Sequence, residues 1–136
     1  MVSGLLRSWY NQDGLPINLH FALENTFTTN LQQLRSGLPS EYNIQAAEPT
    51  LVLAIEKERL MQLYQLSPEI SAWGRAILEK LLDEQERQAQ MFRLQSAKER
   101  YAFMVTHHPR LLQRVSLTQL SSYLGISRET LSRIRK

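Results

Sequence analysis

The sequence predicts an α+β chain: short antiparallel strands first, then one long helix, then short helices ending in a helix-turn-helix. Three observations carry this. Apolar residues alternate with period two through most of residues 1–56. They recur three and four apart over residues 67–95. After Ser96 they fall into short segments, each opened by a capping residue.

The strand region opens with "LLRSWY" at 5–10, followed by "NQDG", where Gly14 is free to take positive φ and turn the chain. "LPINLHFAL" then places Ile17, Leu19, Phe21 and Leu23 on one face and Asn18, His20 and Ala22 on the other. "TFTTNLQQLRSG" is a long connection with room for a short helical turn, and "SGLPSE" at 36–41 is a second turn cluster. "YNIQAAE" alternates Tyr42, Ile44 and Ala46, and "LVLAI" after Pro49 predicts a compact apolar strand. Few strands precede the first helix, so one sheet face needs a cover, from a partner or from strands upstream.

Ser67, Pro68 and Glu69 form a helix start: an N-cap, a first-turn proline and an acid at the positive pole. Ile70, Trp73, Ile77, Leu81, Ala89 and Phe92 make an apolar stripe along 67–95, widened by Leu78 and Leu82 and diluted by Gln85 and Gln88. A stripe this long fits pairing with a second copy; packing on the chain's own sheet is the alternative.

Ser96 with Glu99, and Ser116 with Gln119, have capping-box spacing. Pro109 ends the helix that reaches His107 and His108. Two helices joined by a tight turn need specific residues at their contact, and residues 116–136 supply them. Leu120 and Leu124 are four apart, and Ser121 is small where the helices cross. Gly125 occupies the turn and Ile126 its corner, while Leu131 and Ile134 face back from the second helix. The outward residues of that helix are Arg128, Glu129, Ser132, Arg133 and Lys136. Arg128 and Arg133 have the planar donor fork that matches guanine, and Glu129 either accepts from cytosine or improves the helix start. Ser116, Thr118, Ser127, Thr130, Ser132, Arg135 and Lys136 are candidates for phosphate contacts.

Charge agrees with a polyanion partner. Residues 1–66 carry four basic and six acidic groups, whereas residues 110–136 carry six basic groups against Glu129 alone. A solvated basic end is the plainer reading of the same numbers. The 136 residues are 43% hydrophobic, enough for one ordinary domain or two small ones. No apolar run is long enough to span a membrane, and the opening "MVSGLLRSWYNQDG" lacks the apolar stretch of a signal peptide. With no cysteine, disulfides, thiolate zinc and cysteine-held iron–sulfur clusters are excluded, and a cytoplasmic location fits.

"VSLTQLSSYLGISRETLSRIRK" at 115–136 resembles the DNA-binding motif of the Crp/Fnr family of bacterial transcription regulators. "SAKERYAFMVTHHPRLLQRV" is similar to the run that leads into that motif. "GLLRSWYNQDGLPINLHFALENTF" and "SGLPSEYNIQAAEPTLVLAI" are similar to the later strands of the family's sensor barrel. The resemblance implies a partial antiparallel jelly-roll sensor barrel over 1–66, a dimerisation helix over 67–95 and a helix-turn-helix domain over 96–136, its wing absent or reduced. It implies base reading by Arg128, Glu129 and Arg133. It implies a homodimer on a near-palindromic site in double-stranded DNA, with RNA polymerase a further candidate partner. The sequence also begins late in the barrel pattern, so upstream strands are expected.

No cofactor is expected. Cyclic-nucleotide members hold the ribose with a Gly-Glu pair and the phosphate with an arginine. Here Leu23 precedes Glu24, and Ser40 and Glu41 follow Pro39. A carboxylate facing a phosphate is unfavourable without a cation. His107 and His108 could ligate a metal or haem in principle; capping a helix end is the simpler use. No metal-ligand spacing, phosphate loop or nucleophile motif supports an enzyme. The remaining rival is a module that binds no DNA but dimerises with intact relatives and titrates them. Exposed Leu19, Phe21 and Leu51 would be its mark.

Overall fold

Asp13 and Gly14 both adopt positive φ, 52° and 85°. They form the two-residue loop that joins β1 (Leu6–Gln12) to β2 (Leu15–Ala22), with Gln12 opposite Leu15. Positive φ at both loop positions gives the turn whose twist matches a β-hairpin. The Asn11 side chain accepts from the Gly14 amide at 2.9 Å and holds the turn.

The computed structural model describes residues 1–136. β3 (Asn43–Ala46) pairs antiparallel with the other edge of β1, giving the order β2-β1-β3. Between β2 and β3, α1 (Leu31–Ser36) occupies the long connection, capped by Asn30 and stopped by Gly37 at φ 73°. The alternation expected along β2 is broken. Ser8 pairs with His20 but Trp9 with Asn18, so Leu19 is an extra residue. This bulge puts Asn18 and Phe21 on one face and turns His20 to the other. Phe21 is therefore buried rather than exposed.

The strand expected at "LVLAI" is not formed. Leu51 bridges to Ser3, and residues 52–56 have no neighbouring strand. A strand needs a ladder partner for its backbone, and Leu53 is accordingly 85% exposed. The 1–66 unit expected as a sensor barrel also contains an unexpected helix, α2 (Lys57–Leu66). Its Tyr64 packs over Gly74 of α3 (Pro68–Arg93), where a β-carbon would overlap the ring.

The long helix starts at its expected cap, with the Ser67 hydroxyl accepting from the Ile70 amide at 3.2 Å. Only Gly74 and Met91 are buried along its 26 residues. α4 (Ala97–His107) and α6 (Leu117–Leu124) each carry a complete capping box, Ser96–Glu99 and Ser116–Gln119. Single-turn α5 (Pro109–Leu112) lies between them, and α7 (Arg128–Ile134) is capped by Ser127. The apolar core sits mainly here, where Met104, Leu120, Leu124 and Leu131 are almost wholly buried and Phe21 reaches in from the sheet.

Candidate nucleic-acid interface

Gly125 separates α6 from α7 with φ 65°, and its amide bonds the Ser122 carbonyl. A side chain at this φ would be strained. The Ile126 amide reaches the Ser121 carbonyl at 3.1 Å, closing the turn. Ser121 is buried, and its hydroxyl donates to the Thr118 carbonyl within α6. Leu120, Leu124 and Leu131 form the shared core, with Ile126 packed against it and Ile134 half-buried.

α7 presents Arg128, Glu129, Ser132 and Arg133 to solvent, and these four line one shallow concavity. Thr130 faces the cap: the Ser127 hydroxyl accepts from its amide and donates to its hydroxyl at 3.0 Å. Arg133 leans on the same hydroxyl at 3.4 Å. The Glu129 carboxyl lies below its ordinary value, first through its own backbone amide, then through Ser127, with Arg128 and Arg133 adding charge. Glu129 thus supports the helix start and remains exposed among two arginines. Ser116, Thr118, Ser127, Arg135 and Lys136 are exposed as well.

Part of the positive excess of 110–136 is neutralised internally. The Arg114 guanidinium grips Glu24 through two contacts of 2.8 and 2.9 Å and also pairs with Glu48. Arg110 reaches Glu24 at 2.8 Å. The uncompensated charge is carried by Arg128, Arg133, Arg135 and Lys136, at and beyond the concavity of α7. Sequence reading missed these pairs, whose partners are 66 to 90 residues apart.

The expected dimer stripe is divided. Trp73 meets Phe27 edge-on at 5.4 Å yet stays 53% exposed. Ile70 and Ile77 are half-buried. Leu81, Ala89 and Phe92 line a half-open cavity of about 470 Å³ between α3 and the sheet. Leu78 and Leu82 point to solvent. His20, Tyr42, Glu84 and Gln88 are among the polar groups lining that cavity, and burial holds His20 below its usual 6.5. Glu24 belongs to the Arg114 cluster and is not among the residues lining the cavity. At the end of α4, His107 stacks on Phe103 at 4.3 Å. His108 also lies below 6.5, through burial first and then neighbouring positive charge, so the imidazolium expected there is disfavoured. No group of three or more His, Asp or Glu is placed to hold a metal ion. No helix is long and apolar enough to cross a membrane.

No family model matches the chain, and no curated protein does. Among solved structures, the chain is similar to a crystal structure from Eubacterium rectale ATCC 33656 assigned to the Crp/Fnr family of transcriptional regulators. The TM-score is 0.72 at 16% identity, over 97% of this chain. The chain spans 64% of that structure's length. At this identity the likeness is one of fold: a mixed α+β arrangement with an antiparallel sheet and a helix-turn-helix-like end.

Proposed function

We propose that the chain is a sequence-specific DNA-binding transcription regulator, cytoplasmic and non-enzymatic, that acts as a homodimer on a near-palindromic operator. The observation that carries this reading is the exposed group Arg128, Glu129, Ser132 and Arg133 on a capped helix whose opposite side is buried. In this reading α7 enters the major groove. Arg128 and Arg133 read guanine edges, Glu129 reads a cytosine amino group, and Ser116, Thr118, Ser127, Thr130, Ser132, Arg135 and Lys136 position the phosphates. The solvent-facing Leu78 and Leu82, one turn apart, pair α3 with its copy. Units 1–66, 67–95 and 96–136 act as sensor sheet, dimer helix and reading domain, and RNA polymerase is the partner through which regulation is exerted.

The fold likeness supports the same class. Selection of bound sites from random duplexes at about 0.1 M salt tests it, because phosphate neutralisation makes affinity fall steeply with salt. Enrichment of an inverted repeat is the expected result; a folded dimer that enriches nothing would remove it. The exposed Leu51, Val52, Leu53 and Ile55 favour one second reading, a module that pairs with intact relatives and titrates them. Such a module would dimerise and enrich no site.

A further inference from the structure

Only three residues, Leu94 to Ser96, connect the long helix to the reading domain, and Leu94 has an extended ψ of 130°. Such a short connection allows swivelling about a few backbone angles, yet the two parts are tied together elsewhere. Met91 and Phe92, at the end of α3, touch the core of the reading domain, Phe92 lying 6.5 Å from the Tyr123 ring, and the β1–β2 hairpin adds a polar tie. At the bulge, Leu19 leaves the ladder and its carbonyl accepts from Gln88 of α3. The preceding residue, Asn18, turns the other way. Its amide donates to the Ser122 hydroxyl at 3.0 Å and its side chain to the Gln119 carbonyl at 3.2 Å, both on α6. The Ser122 hydroxyl in turn donates to the Pro16 carbonyl at 2.9 Å. Phe21 meets Tyr123 of α6 edge-on at 5.4 Å. The Arg114 cluster fastens the far side to Glu24 and Glu48.

We propose that this hairpin is a strut that sets the angle between α3 and the helix-turn-helix. Asn18, Glu24 and Arg114 are then positioning residues that determine which operator spacing a dimer accepts, without touching DNA. Two consecutive bulge residues reach two different helices, so the hairpin cannot shift without moving one against the other. The strut leaves the outward face of α7 free, so it orients the reading surface without covering it. In a dimer, α3 fixes the centre and the strut fixes the reach of each head. One added base pair moves a half-site by about 3.4 Å and turns it by roughly a tenth of a helical turn, a change that a rigid head cannot follow.

The spacing role rests on the proposed DNA-binding function; the strut itself does not, so the test has two arms. With no native cysteine, spin labels at Gln12→Cys and Gln113→Cys, in dimers with one labelled protomer, report the distance between hairpin and reading domain. Wild type should give one narrow distribution, and Glu24→Gln with Glu48→Gln should broaden it, as should Ser122→Ala. Unchanged distributions in both variants would overturn the strut, whether or not the chain binds DNA. On duplexes, the Glu24→Gln/Glu48→Gln protein should bind an isolated half-site as wild type does. Its preference for the selected spacing over one base pair more should drop about tenfold, because its heads are no longer held at one distance. Labels that move while spacing preference stays would overturn the positioning role. Absence of binding by wild type would count against the DNA-binding reading instead.

Discussion

Arg100, on the first turns of α4, donates a 2.7 Å hydrogen bond from Nη1 to the carbonyl of Leu124, the last residue of α6. That carbonyl lies at the negative pole of the helix, beside the left-handed Gly125, so one guanidinium caps the helix end and props the turn. A charged hydrogen bond in this setting contributes about 1.5–3 kcal/mol. Arg100→Met should lower stability by that order in urea unfolding while leaving the outward residues of α7 in place. Arg100→Lys should recover part of the loss. Equal stability of all three proteins would show that the bond contributes nothing.

Gly125→Ala should also destabilise, by about 1–2 kcal/mol for the left-handed conformation alone. The added β-carbon would also sit 3.4 Å from Arg100 Nη1, so both substitutions press on one contact. The double variant should therefore lose less than the sum of the singles. Additive losses in urea titrations would separate the two effects.

Stability should fall with acid in two stages. His20 and His108 lie below their ordinary 6.5 through burial, so below about pH 6.5 the unfolded chain takes up protons that the folded chain resists. Stability is fully present above that pH and declines as pH falls. The second stage belongs to the carboxylates held below their ordinary 4.5: Glu24, which hydrogen bonding to Arg114 holds at about 2, together with Glu69, Glu99 and Glu129, each lowered by helix-start hydrogen bonds. Their contribution is present above about 4.5 and is lost as pH falls toward 2. Glu24→Gln should shrink the lower stage, most of all near its acid end, and leave the upper one. A lower stage of undiminished size in that variant would show that Glu24 contributes nothing to it.

The capped elements were legible because a cap works within three residues. Ser67, Ser96, Ser116 and Ser127 each mark a helix start, and all four helices begin there. The turn at Gly125 was legible for the same reason. α2 was missed although Leu60, Leu63 and Tyr64 have helical spacing, because the apolar "LVLAI" before it reads as a strand when taken alone. The bulge was not legible. Ile17, Leu19 and Phe21 alternate perfectly, and only the partner strand reveals the extra residue. The ion cluster was hidden by distance along the chain: charge runs show where arginines are, and folding decides which of them acids neutralise. The outward α7 residues were legible as a face, since helical spacing places them together whatever they bind.

Arg128 and Arg133 should differ from Arg135 and Lys136 in what their loss does. The first two line the concavity with Glu129, and the latter two lie at and beyond the end of α7. Arg133→Ala should weaken the selected site by about 1–3 kcal/mol and random duplex far less. Lys136→Ala should weaken both alike and reduce the salt slope by roughly one. Binding isotherms on both duplexes at several salt concentrations separate these patterns. Equal losses for Arg133→Ala on the two duplexes would make it a phosphate contact.

Leu82 gives the sharpest test of the pairing surface. It is 64% exposed, and its neighbour Leu78 one turn earlier is 46% exposed, on a helix whose buried residues are Gly74 and Met91. If α3 pairs with its copy, Leu82→Glu brings two carboxylates together in an apolar seam, which neither packing nor hydration can accommodate. The monomer should keep its fold, because Leu82 contributes little to the intrachain core. Sedimentation should then show half the mass at micromolar concentration with an unchanged circular dichroism spectrum. Operator affinity should fall to that of a single half-site. A dimer that survives Leu82→Glu and also Leu78→Glu would move the seam to the cavity-lining face of Leu81, Ala89 and Phe92, and the half-open cavity would then have to close on the partner's helix.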